Sequence, residues 1–118
     1  MKNPKILTSI GFLIVIFLSS CLKDPGTPVV TANKSTVGVN EEVTLTLSGA
    51  ENYTCLSWAR TSGIDYTVIS GGTKDDLTMK VKFGSTGTCT IQAAVKNCKD
   101  GCIGECRNEY AETTITIQ

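Results

Sequence analysis

The sequence predicts an all-β protein, a single β-sandwich of about seven strands following an export signal. Three observations point there. From Val29 onward, apolar and polar residues alternate in short runs, the two-residue period of half-buried strands. Clusters of glycine, serine, asparagine and aspartate separate the runs, as at "SGAEN", "TSGID", "SGGTKDD" and "GSTG". No stretch carries a competing helical period, and no internal repeat is present.

Along the chain, Lys2 and Lys5 precede the apolar run "ILTSIGFLIVIFLSSC", the pattern of a secretory signal. Its core, Ile10 to Leu18, is shorter than the about 20 apolar residues that span a bilayer. "LKDPGTPV" follows, with two prolines and a glycine, and reads as an extended tether reaching at most about 25–30 Å. "EVTLTLSG" (42–49, with the strand over 42–48) alternates cleanly, with Val43, Leu45 and Leu47 on one face. "CLSWAR" (55–60) supplies Leu56 and Trp58, and "DYTVIS" is a weaker strand. In "DLTMKVKF" (76–83), Leu77, Met79, Val81 and Phe83 share the inward face. "TCTIQAAV" (within the strand 88–96) turns Cys89, Ile91, Ala93 and Val95 inward, and "TTITIQ" (113–118, ending the strand 111–117) turns in Ile115 and Ile117.

Two stretches resemble known families. "LSSC", Leu18 to Cys21, resembles the lipobox of bacterial lipoproteins. That resemblance implies cleavage before Cys21 and acylation of Cys21, hence a protein anchored on a membrane rather than crossing it. "NEEVTLTLSG", a tryptophan in the next strand, and "LTMKVKFGSTGTCTIQAAVKN" together resemble the immunoglobulin-like PKD domain and its bacterial relatives. The family's Trp-Asp-Phe-Gly-Asp-Gly is absent, with "WARTSGID" in its place, and Cys89 stands where tyrosine is usual. The domain reading is therefore a lipoprotein signal peptide at 1–20, a lipidated Cys21 with a tether at 21–28, and an immunoglobulin-like sandwich at 29–118.

On that fold Cys55 shares one end with Cys98, Cys102 and Cys106, which lie in the loop between the last two strands. Cys89 sits near the other end, a buried free thiol beneath Trp58. Four cysteines in an exported domain most often make two disulfides. The expectation is one bridge from Cys55 into the loop and one within it, with the partners open. Four sulfurs can also ligate zinc or an iron–sulfur cluster, but consecutive Cys-x-x-x-Cys spacings are not zinc knuckles, and export favours oxidation. A redox Cys-x-x-Cys is absent. The reading is a stapled loop, with no metal and no cofactor.

Composition narrows function further. The chain has no histidine, which removes the usual general base and every Ser-His or Cys-His pair. Its formal net charge is zero, with no cluster of Lys and Arg to bind nucleic acid. Asp65 and Asp75–Asp76 read as solvated turn residues rather than a carboxylate or calcium site. "NKS" at Asn33 and "NYT" at Asn52 match the glycosylation pattern but are incidental beside a bacterial lipobox. With Trp58 in the core, Tyr53, Tyr66 and Tyr110 are the aromatic candidates for contact, and Tyr53 and Tyr110 are expected at the cysteine pole with Arg107. The expected protein is non-catalytic, held to the outer membrane by its lipid, in either leaflet, and touching an envelope protein or a glycan. A glycan-binding accessory lipoprotein of a polysaccharide-uptake system is the alternative. No aspartate follows Cys21 directly, and Lys23–Asp24 partly resembles a surface-export signal of Bacteroidota lipoproteins.

Overall fold

The computed structural model describes residues 22–118, so the signal segment 1–20 and Cys21 lie outside the described residues. Among the described residues there are eight strands and no helix. They are β1 (Gly26–Ala32), β2 (Thr36–Val37), β3 (Val43–Ala50), β4 (Cys55–Gly63), β5 (Thr67–Gly71), β6 (Thr78–Lys82), β7 (Gly87–Asp100) and β8 (Ile103–Ile117). Two four-stranded sheets form, in the orders β1-β3-β6-β5 and β2-β8-β7-β4. Pairing is antiparallel throughout except for the short β2–β8 contact, where Thr36 lies beside Thr116.

Alternation decides what fills the space between the sheets. Val43, Leu45 and Leu47 of β3 and Met79 and Val81 of β6 face Ile91, Ala93 and Val95 of β7 and Ile115 and Ile117 of β8. Phe83 and Leu56 are also fully buried in this cluster. Each large apolar side chain removed from water contributes about 1.5–3 kcal/mol, which makes this cluster the main source of cohesion.

Four features differ from the reading of the sequence. Residues 26–28, read as tether, belong to β1, because Gly26 pairs with Ala50 across a bulge. Leu77 is 46% exposed instead of inward. The cause is the preceding segment, which leaves β6 to reach the edge of β4. Asp75 N donates to Leu56 O (3.1 Å), Leu56 N donates to Asp75 Oδ1 (3.1 Å), and Trp58 Nε1 donates to Asp76 O (2.8 Å). That indole bond also explains the third difference: Trp58 is only partly buried, packed on the rim of the core with its N–H satisfied by a turn. The fourth is the stretch 97–110, read as a loop, which is β-ribbon almost throughout.

The burial pattern predicts a sharp contrast between two residues of the "LTMKVKF" run. Phe83→Ala should lower the unfolding free energy in urea by about 3–5 kcal/mol. Leu77→Ala should change it by less than about 1 kcal/mol, because the side chain already meets water.

Candidate functional site

β7 and β8 outrun the rest of the sandwich. Their inner halves cover the core, but past Val95 and Ala111 little apolar surface lies beneath them. The ladder nevertheless continues through Asn97–Arg107 and Cys98–Cys106 to Asp100–Ile103, leaving Gly101 and Cys102 as a two-residue tip. Gly101 takes φ +74°, which a two-residue hairpin of the II′ kind requires at its first loop position. From the Cys98–Cys106 pair to the tip, β8 spends one residue more than β7, and Gly104 at φ +86° accommodates the resulting bulge.

Two disulfides fix this ribbon. Cys98 and Cys106 are opposed residues whose Cα atoms lie 4.0 Å apart, and their bridge ties the two strands together. Cys55 and Cys102, separated by 47 residues with Cα atoms 5.3 Å apart, tie the ribbon tip to the start of β4. By alternation Cys55 shares the outer side of its sheet with Ser57 and Ala59, since their β7 partners Lys96, Ala94 and Gln92 alternate with buried residues. Loop-closure entropy assigns about 4 kcal/mol to the long-range bridge and about 2.5 kcal/mol to the local one. Cys55–Cys102 is therefore the dominant staple.

Thr54 completes the closure, and sequence reading missed it. Its N–H donates to Lys96 O (2.8 Å), its hydroxyl accepts from Cys98 N (2.9 Å), and the same hydroxyl donates to Gly101 O. The only sequence signal was the threonine of "NYT", matched there to a glycosylation pattern. Asn33 of "NKS" is similarly structural: its Oδ1 accepts from Thr44 N (2.8 Å) and its N–H donates to Thr44 O (3.0 Å).

The same ribbon grips the start of the described chain. Asn97 Nδ2 donates to Lys23 O (2.9 Å), and Arg107 Nη1 donates to Leu22 O (3.3 Å). Arg107 Nη2 lies 3.5 Å from Asp24 Oδ2, while Gly26 N donates to Asp24 Oδ1 (3.0 Å). Pro25 is fully buried, and its carbonyl accepts from Glu51 N at 2.7 Å. The Arg107–Asp24 pair is about half exposed and worth only about 0–1 kcal/mol, so the backbone bonds and the buried proline hold most of the clamp. Residues 22–25 are thus docked on the cysteine pole.

The aromatic candidates do not form one exposed surface. Tyr110 is 54% exposed on the outer face of β8, opposite Ala94, whereas Arg107 takes the other face of the same strand. Tyr53 is packed against the core. Tyr66 packs there too, away from the bridged cysteines, where burial first, and then the neighbouring Cys89 and Asp65, push its phenol up. Cys89 is free and buried, but it stands opposite Gly63 rather than beneath Trp58, which pairs with Ala93. The carboxylates read as solvated turn residues all have partners. Asp65 binds Arg60 Nε (3.1 Å), Asp75 caps the β4 edge, and Asp76 accepts from Thr73 N (3.1 Å) and the Thr73 hydroxyl (2.5 Å). Among the described residues no group of three or more Cys, Asp or Glu is arranged to hold a metal ion. The chain matches no protein-family model, and no curated protein is significantly similar to it.

Two outcomes follow from these contacts. Thr54→Val should lower stability by about 1–2 kcal/mol by stranding the Cys98 N–H and Gly101 carbonyl, while Thr54→Ser should stay within about 0.5 kcal/mol of the parent, both read by urea unfolding. Burial pushes the Cys89 thiol up. Its folded form therefore keeps a proton that the unfolded chain loses above the ordinary thiol value of about 8.5, and stability should fall as pH rises through that range. Cys89→Ala should flatten this alkaline decline in a series of urea titrations, whatever its effect at neutral pH.

Proposed function

We propose that this chain is a bacterial lipoprotein whose folded part is a non-catalytic, immunoglobulin-like module of the PKD type, held to the outer membrane through acylated Cys21. The observation that carries the reading is "LSSC" closing the apolar run, one residue before a chain start clamped onto a doubly disulfide-bonded sandwich. Disulfides suit an exported domain and not a reducing cytosol. The strand orders β1-β3-β6-β5 and β2-β8-β7-β4 parallel the ABED and GFC sheets of immunoglobulin-like sandwiches, with β2 as a short continuation of the first edge strand. The absence of histidine from the sequence supports a binding role over catalysis. The module would make contact with an envelope protein or a glycan.

Tyr110 favours the glycan as a second reading. Its exposed ring stands on the outer face with Asn108 and Glu112 on its own strand, Lys96 and Gln92 opposite those two, and Ala94 beside it. An aromatic surface ringed by amide and carboxylate groups suits the apolar face and hydroxyl rim of a sugar. This reading would make the protein a glycan-binding accessory lipoprotein of a polysaccharide-uptake system.

The anchor is tested by expressing the full chain in a bacterium fed an alkyne fatty acid. Label on the Cys21 peptide, lost in Cys21→Ala together with membrane retention, is the expected result; an unlabelled, unprocessed amino terminus overturns the reading. The glycan reading expects array binding that falls at least about tenfold in Tyr110→Ala, a loss of about 1.4 kcal/mol. Binding unchanged in that variant removes it.

A further inference from the structure

Nothing in a flexible eight-residue tether would fix how the sandwich stands on its membrane. The structure removes that slack. Leu22, Lys23 and Asp24 are held by Asn97 and Arg107, opposed residues near the base of the stapled ribbon, and Pro25 is buried behind them. The described chain therefore starts at the cysteine pole. Ile103 stands at that same pole. It flanks the two-residue tip and is 70% exposed, the most exposed large apolar residue among those described. It lies four residues along β8 from Arg107, no more than about 13 Å away.

We infer that the ribbon tip is a membrane-contact element: the clamp turns the cysteine pole down, and Ile103 enters the headgroup–acyl boundary of the lipid bilayer beside the anchor. The inference rests on the lipoprotein reading and adds to it an orientation and a lipid-facing side chain. At a headgroup–acyl boundary this exposed side chain would leave water, which favours contact beside a lipid anchor. The two disulfides and Thr54 hold the turn stiff, so the side chain is presented without an ordering cost at the surface. If residue 21 sits in the interface, a clamped residue 22 leaves the tip no room to stand far from it. The opposite pole, with the Gly84–Gly87 turn, then faces away from the membrane.

The test uses the full, processed chain purified from bacterial membranes and reconstituted in vesicles of phosphatidylethanolamine and phosphatidylglycerol with brominated acyl chains. Ile103→Trp and, on the other strand of the tip, Lys99→Trp report depth through bromine quenching, with the unsubstituted protein correcting for Trp58. Ser85→Trp reports the far pole. Strong quenching at the tip and none at Ser85 supports the inference. So does loss of tip quenching in Asn97→Ala/Arg107→Ala while the protein still floats with the vesicles and keeps its circular dichroism. A vesicle-bound protein whose tip tryptophans are quenched no more than Ser85→Trp overturns the inference and leaves the lipoprotein reading standing. Tip quenching that survives loss of the clamp overturns the clamp's orienting role. A chain that neither floats nor carries an acyl group on Cys21 overturns the lipoprotein reading, and the inference with it.

Discussion

The structure depends on a β-ribbon that extends past its own core. Strands are stable when one face is buried, and β7 and β8 meet that condition only as far as Val95 and Ala111. Beyond them a two-stranded hairpin in water would be marginal. The Cys55–Cys102 bridge replaces the missing apolar contact with a covalent one by returning the tip to the first residue of β4. Thr54 and the Cys98–Cys106 bridge then fix the register of what lies between. With the ribbon set, Asn97 and Arg107 are positioned to receive the chain start, so the clamp on residues 22–25 follows from the staple.

Alternation carried most of the fold. The runs "EVTLTLSG", "TCTIQAAV" and "TTITIQ" bury the same residues their two-residue period assigns to the interior. Leu77 shows where period alone fails: the turn before it is drawn to the β4 edge by Asp75 and Asp76, a tertiary pull invisible in a local pattern. The cysteine stretch failed for a related reason. It reads as a loop, yet Gly101 and Gly104 are the tip and bulge that let a ribbon form. Thr54 and Asn97 could not be singled out, because their importance lies in backbone groups 44 and 74 residues away.

The described cysteines are bridged or, for Cys89, buried, and the aspartates near turns serve backbone or cation partners. What distinguishes the molecule is asymmetry. One pole is stiff, crosslinked and attached to the N-terminal segment; the opposite end carries ordinary turns. On the proposed lipoprotein reading, this asymmetry is an orienting device, and Tyr110 on the side of the sandwich is left free for contact.

The ribbon beyond the core is held by its disulfides, while the sandwich is held by packing. Hydrogen exchange on the oxidised and the fully reduced protein tests it directly. Protection at residues 97–107 and at the clamped 23–26 should collapse on reduction, while the amides of Ile91, Ala93 and Ile115 stay slow. Unchanged protection along the ribbon after reduction would contradict the account. So would simultaneous loss of protection in ribbon and core, since the sandwich would then depend on the bridges too.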